Sequence, residues 1–288
     1  MARGLSESLR LLLASSVDYA GLFPPAELDM ATAVRCYEEY RASEYAWMLG
    51  NFVAPAGRLA ELAALARRDG PPWSVNALVG PNIAGELDAI EEFQHTGTGR
   101  VEWIEVKVSS AEQIRAIRER VPRRLGIYFE FTDLALMKAV RDAGARAKVR
   151  TGGATAEAIP AAVELARFMV SAGTHEIPLK ATAGLHHPVR SEYALTYKKD
   201  SQHATMHGFV NVLLAAVFAC HGVALEELTE LLEERSPGAF GFEPDGVTWR
   251  YHRLTNMQIR CARERAVASF GSCSFIEPVE ELRAAGLL

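Results

Sequence analysis

Short apolar runs alternate with longer stretches whose apolar residues recur at helical spacing, and the alternation persists over most of the chain. The runs at 18–23, 46–53, 74–79, 101–108, 125–131, 145–150 and 177–182 have the length and composition of strands. Between them, 30–41, 59–68, 83–94, 111–120, 134–143 and 155–172 carry helical periodicity. In 111–120, Ile114 and Ile117 share one face while Arg115, Arg118 and Glu119 lie elsewhere. Strands separated by helices are parallel. Seven uniform strand–helix units, with an eighth to find, predict an α/β protein closed into a (β/α)8 TIM barrel rather than an open doubly wound sheet. No GxGxxG loop follows the first strand, so the dinucleotide-binding open sheet has no support.

The regularity breaks after Thr182. A long loop is expected to about Gln202, then helices at 203–220 and 225–234. A hairpin follows, turning at Pro244-Asp245-Gly246, and then a helix at 256–265. The eighth barrel strand is expected at 267–271. The reading is therefore one barrel domain over 1–288, with 185–254 a helical and hairpin insertion after the seventh strand, placed to act as a lid.

Barrel chemistry sits at the C-terminal ends of the strands. Strand side chains alternate between faces. Glu105 and Lys107 are two residues apart, as are Lys148 and Arg150, while Glu130 and Lys180 share parity with Tyr128 and Thr182. The apolar residues between them must face the covering helices, so the charged set is expected to point inward. Four of the six are basic (Lys107, Lys148, Arg150, Lys180) and two acidic (Glu105, Glu130). The positive surplus predicts a small anionic substrate, a phosphate or a carboxylate. A purely structural ion-pair network is the competing reading, although branched aliphatics are the usual barrel filling. A lysine attacks carbonyls only when neutral, and a neighbouring cation with desolvation favours that form. Lys148 and Lys180, on adjacent strands, thus suggest a Schiff-base site, with Glu105 and Glu130 moving protons.

Two segments carry a resemblance. Lys148-Val149-Arg150-Thr151-Gly152-Gly153 and Lys180-Ala181-Thr182-Ala183-Gly184-Leu185 resemble the paired lysine motifs of deoxyribose-phosphate aldolases, which are class I aldolases. Phe270-Gly271-Ser272-Cys273-Ser274 is similar to that family's phosphate-binding turn. The resemblance covers the second half of the barrel. It implies an aldolase-type lyase in which Lys148 forms the imine and Lys180 lowers its pKa. It also implies that Gly184, Gly271, Ser272 and Ser274 hold phosphate. Arg150 and His186 depart from the family pattern, and the interval from Lys180 to Gly271 is longer than the family's. Thr151, Thr182, His186, His187 and Arg190 complete the expected substrate-binding set.

A second constellation is rich in histidine: His186, His187, His203 and His207. If 203–220 is a helix, His203 and His207 at i, i+4 share a face, a metal-chelating spacing that would suit zinc or another divalent metal, though Ala204 stands where an HExxH motif has its glutamate. A metal-dependent hydrolase or lyase is the resulting alternative to a cofactor-free aldolase, and a non-catalytic barrel that binds an anion or a partner is a third. Asp18 and Asn51 end strands and could reach the site, whereas Cys273 has no base nearby in sequence and reads as structural.

Composition narrows the classes. Hydrophobic residues make up 49% and charged residues 23% of the 288, as in a globular protein with a large core. A formal charge of −5 argues against nucleic acid as the partner. No apolar run reaches the roughly eighteen residues a membrane helix needs. The stretch at 11–16 is too brief for a signal peptide and is followed by Asp18. The four cysteines lack CxxC spacing, which fits a cytoplasmic location. Self-association is left open.

Overall fold

The computed structural model describes residues 5–67, 70–80 and 82–288. In chain order the elements begin with α1 (Glu7–Leu13), β1 (Val17–Tyr19), α2 (Met30–Arg41), β2 (Leu49–Pro55), α3 (Leu59–Leu65), β3 (Trp73–Val79) and α4 (Ile83–His95). They continue with β4 (Gly99–Lys107), α5 (Ala111–Arg120), β5 (Gly126–Glu130), α6 (Met137–Asp142), β6 (Arg146–Arg150), α7 (Ala162–Thr174) and β7 (Leu179–Thr182). The C-terminal part holds β8 (Ser191–Ala194), β9 (His203–Met206), α8 (Phe209–Cys220), α9 (Leu225–Glu233), β10 (Phe240–Glu243), β11 (Gly246–Trp249), β12 (His252–Thr255), α10 (Asn256–Arg265), β13 (Val267–Ser272) and α11 (Ile276–Ala284).

Eight parallel strands close in the order β1-β13-β7-β6-β5-β4-β3-β2, a (β/α)8 TIM barrel. The eighth strand is β13, where the sequence placed it, and it closes the ring by pairing with both β1 and β7. Alternate residues of each strand turn outward onto the helices, as Ile104 and Val106 of β4 do, both buried in the continuous core.

Several boundaries differ from the sequence reading, each for a local reason. The first strand stops at Tyr19 rather than at 23, because the chain turns there: the Phe23 N–H donates to the Ala20 carbonyl at 2.9 Å and the Leu28 N–H to the Gly21 carbonyl at 2.9 Å. The run at 46–53 opens as a 3-10 turn, Ala46–Met48, before β2 begins. The helix expected at 155–172 starts only at Ala162, because Pro160 disfavours helical backbone before it. Of the helix expected at 59–68, Leu59–Leu65 is α3, and Arg68 lies outside the described residues.

The largest difference lies after β7. The helix expected at 203–220 is two elements: β9, paired antiparallel with β8, and then α8 starting after Gly208. His203 and His207 therefore do not share a helix face. The predicted hairpin is real and gains a third strand, β12. No helix among the described residues is long and apolar enough to cross a membrane. Cys36, Cys220, Cys261 and Cys273 are all unpaired with one another.

Candidate active site

β6 and β7 run in register so that Lys148 sits beside Lys180, and β5 places Glu130 beside Lys148. The two ammonium groups do not confront each other, because Glu105 of β4 lies between them. One carboxylate oxygen accepts from Lys180 Nζ at 2.6 Å, and the other lies 2.8 Å from Lys148 Nζ. Lys148 also reaches Glu130 at 2.9 Å, Glu130 meets Arg150 at 3.3 Å, and Lys180 donates to Asp18 of β1. The result is a chain of alternating charge running Asp18, Lys180, Glu105, Lys148, Glu130, Arg150.

The neutral residues around this chain hold it in place. Asp18 accepts from the Asn51 backbone N–H at 2.8 Å, from Ser269 at 2.7 Å and from Asn76 at 3.1 Å. Asn76 also donates to Glu105 at 3.2 Å, and its own oxygen accepts from Asn51 at 2.8 Å. Gly50 makes room for this: a Cβ there would stand 2.4 Å from the Asp18 carboxylate. Toward the N-terminal end of the barrel the interior continues with Trp103, Tyr128 and Arg146, the guanidinium lying 3.8 Å above the Trp103 ring.

Burial pushes the Glu105 carboxyl up, but Lys180 and Lys148 outweigh it and hold the group at about 2. Burial likewise pushes Lys180 down, and Asp18 with Glu105 reverses that, leaving its ammonium held above the ordinary lysine value. Lys180 is thus a fixed cation. The expected direct juxtaposition of the two ammonium groups is corrected by the carboxylate that separates them. Glu130 is lifted by burial and lowered further by Lys148 and Arg150, so it too is ionised.

The charge count also changes. Lys107 is exposed and lines an outer groove with Gly80, Ile83, Ser109 and Gln113. It lies outside the inward set because Glu130, its register neighbour, is already taken by Lys148 and Arg150, so water is the better partner for its ammonium. Asp18 replaces it. Three cations face three carboxylates, and the positive surplus that pointed to an anion is absent from this layer.

A cavity of about 330 Å³ opens above the layer. Lys148, Lys180, Glu105, Arg150, Thr182, Gly184, His186 and Gly271 all line it, walled by Phe23, Pro24, Val53, Leu78, Leu195 and Met206. Thr151 does not reach it, since its hydroxyl donates to the carbonyls of Ala183 at 2.6 Å and Thr182 at 3.2 Å. Ser272 and Ser274 are also turned away. Ser272 Oγ lies 3.3 Å from His186 Nδ1 and accepts from the Ser274 N–H, and Ser274 Oγ accepts from the Glu277 N–H at 3.2 Å. Hydroxyls and an amide expected to cradle phosphate are spent inside the turn.

The four histidines divide. His203 is exposed on β9. His207 is buried, its Nδ1 accepting from Arg190 at 3.0 Å and its Nε2–H donating to the Pro160 carbonyl at 2.9 Å. Arg190 is therefore committed to His207 and lies away from the cavity. Burial, with Arg190 beside it, pushes His207 down to about 4, the Pro160 carbonyl opposing. His186 and His187 instead meet α11: His186 Nδ1 lies 3.3 Å from Glu277, and His187 Nδ1 lies 2.7 Å from Glu281. Cys273, read as having no base nearby, lies 3.9 Å from both ring nitrogens of His186, 87 residues away in sequence. Burial pushes His186 down, but Cys273 and Glu277 hold it up at about 9.

Sequence reasoning passed over Asn76, Ser269, Glu277 and Glu281. An asparagine within a mostly apolar strand, an i, i+4 glutamate pair and a His-His dipeptide were the available signals.

No family model and no curated protein matches the chain. Among solved structures, a FabK mutant from Thermotoga maritima aligns with TM-score 0.38 and 18% identity over 62% of this chain and 57% of that one. A mandelate oxidase mutant with 4-Br-2-hydroxy-methylphenylacetate aligns with TM-score 0.37 and 15% identity, covering 96% of this chain and 78% of that one. The same oxidase with a monooxide FMN adduct gives 0.37 and 16%. The chain spans less than two thirds of the FabK chain's length. The barrel assignment rests on the closed strand order itself.

Proposed function

We propose that this chain is an aldolase-type lyase in which Lys148 Nζ forms an imine with a small carbonyl compound. The observation that carries the reading is Lys148 itself, a lysine on the cavity wall whose nitrogen is within 3 Å of two carboxylates, Glu105 at 2.8 Å and Glu130 at 2.9 Å. An ammonium between two carboxylates must first lose a proton. Glu130 is the acceptor of choice, because Lys180 also holds Glu105 ionised. Neutral Lys148 then attacks the carbonyl carbon, water leaves, and the C=N bond forms. Glu130 gives its proton to the departing water. It then takes the hydroxyl proton of the fragment released as a carbonyl when the breaking C–C bond passes its electron pair to the protonated imine. It returns that proton to the enamine carbon, and water hydrolyses the imine to free Lys148.

The cavity volume of about 330 Å³ falls at the small end of ligand pockets, which fits a compound of a few carbons. With the inner layer neutral overall, Arg150 is the cation left to meet an anionic tail, its side chain 51% exposed. Leu195 and Met206, from the β8–β9 hairpin and its flank, stand over the cavity, which suits the lid role read for 185–254.

Borohydride reduction of the protein with small aldehydes and 2-keto acids tests the reading. Mass spectrometry is expected to place one reduced adduct on the peptide containing Lys148, and Lys148→Ala removes it. An adduct that persists in Lys148→Ala, or no adduct with any carbonyl compound, overturns the proposal.

A further inference from the structure

Where β7 leaves the barrel, His186-His187 passes across one face of α11, and that face presents Glu277 and Glu281, one turn apart. A ring nitrogen of His187, a Glu277 oxygen and a Glu281 oxygen all lie within 4.8 Å of one another. We propose that these three side chains form a binding site for one divalent transition-metal ion, of which Zn²⁺ suits the donor set best.

The donors are held as ligands would need to be. The His187 ring is 8% exposed and stacked on Tyr193, with centroids 3.4 Å apart and planes 9° from parallel. Tyr193 is itself fixed by donating to the Val189 carbonyl at 3.0 Å. Glu277 accepts from Tyr197 at 2.8 Å and lies 3.3 Å from His186 Nδ1, which orients one oxygen and leaves the other free to turn inward. Such outer partners are what metal-binding carboxylates and imidazoles ordinarily carry. Zinc bonds of about 2.0–2.2 Å to one imidazole and two carboxylates need small side-chain adjustments within this spacing. Three protein ligands leave a fourth position for water, the arrangement of a reactive rather than a closed structural site. Unmetallated, one proton between His187 and Glu281 links two of the three groups; a dication would link all three. His186 lines the cavity, so the ion would sit at the edge of the barrel mouth.

This site differs from the four-histidine set suggested by the sequence. It uses His187 with two glutamates that lie 90 and 94 residues further along the chain, and it excludes His203 and His207.

Isothermal titration of the dialysed full chain with ZnCl₂, checked by elemental analysis after desalting, tests the proposal. One Zn²⁺ per chain is expected. His187→Ala and Glu281→Gln should each weaken binding by about a hundredfold, and Tyr197→Phe by about tenfold, the range typical of outer-partner losses. His203→Ala should leave binding unchanged. Glu281→Gln sits on a half-exposed helix face and keeps a hydrogen-bonding oxygen toward His187, so it separates ligation from folding. Absence of saturable 1:1 binding in the wild-type chain, or full binding by the His187→Ala/Glu281→Gln double variant, overturns the proposal and leaves the cluster as two His–Glu ion pairs. Neither Lys148 nor Lys180 takes part, so the zinc result and the borohydride result stand or fall separately.

Discussion

Lys180 is 1% exposed, and its ammonium is shared by Asp18 and Glu105, each 3% exposed or less. A buried pair is worth little beyond a hydrophobic replacement of the whole group, but removing one partner strands the others. Lys180→Met is therefore expected to cost about 3–5 kcal/mol, read as a lower urea midpoint at neutral pH. The triple variant Lys180→Met/Asp18→Asn/Glu105→Gln should recover part of that loss; if it is no more stable than Lys180→Met alone, the charges are not the reason for the cost. The same network shows what the sequence could disclose. Parity brought Glu105, Glu130, Lys148 and Arg150 into one layer correctly, because alternation along a strand is fixed by the backbone. It could not show that Glu105 stands between the lysines, since that depends on register and side-chain reach across the barrel. Nor could it exclude Lys107, whose parity is right but whose position at the strand end lets it escape to water.

Strand–helix alternation was the strongest signal in the chain, and all eight barrel strands fall on or beside the runs that predicted them. The failure at 203–220 has an identifiable cause. α8 is buried on nearly every side, so its apolar residues mark no single face, and its start had to be inferred from what precedes it. Gly208 was the available marker. It occupies the position before α8, where a Cβ would stand 2.4 Å from the Pro188 carbonyl oxygen, the Val189 Cα and the Asn211 side-chain oxygen. That Asn211 oxygen accepts from the Arg190 N–H at 3.0 Å, while its amide donates to the Leu231 and Glu234 carbonyls at the end of α9. One buried asparagine thus ties the loop after β7 to two helices, and only glycine allows the chain to pass so close. Gly208→Ala should cost about 1–3 kcal/mol, the range for overpacking against backbone that cannot retreat. Gly222→Ala is the comparison for a glycine with no atom within 4 Å of the added Cβ but a positive φ of 78°. Its cost should come from backbone strain alone, about 1–2 kcal/mol, and should leave the α8 amides as protected from hydrogen exchange as before. Gly208→Ala should speed exchange there, and equal protection in the two variants would refute the close-approach account.

At the scale of the whole molecule, the barrel and the segment after β7 meet at His207. Its ring accepts from Arg190, on the loop leading into β8, and donates to Pro160, on the loop between β6 and α7. The charged groups bearing on it are Arg190 and, through Arg190, Glu233 and Arg235. The bond from Arg190 requires the neutral imidazole, and burial beside a guanidinium disfavours the charged one, which outweighs the Pro160 carbonyl and holds the group at about 4 against an ordinary 6.5. A folded-state value below the unfolded one means that the unfolded chain binds the extra proton first. The contribution is complete above about pH 6.5, declines as the pH falls toward 4, and is gone below that. Its full size is about 3 kcal/mol, since each tenfold change in proton affinity is worth roughly 1.4 kcal/mol. Glu105, held at about 2, loses its contribution at lower pH, between about 4.5 and 2, so the two windows separate. Urea midpoints at pH 7.0, 5.5 and 4.5 should therefore fall steeply for the wild-type chain. His207→Gln, already less stable at pH 7.0, should show a much flatter profile over the same interval. Parallel profiles would mean that protonation of some other group loosens the fold, and that this histidine is not the acid-sensitive link between the barrel and the segment over its mouth.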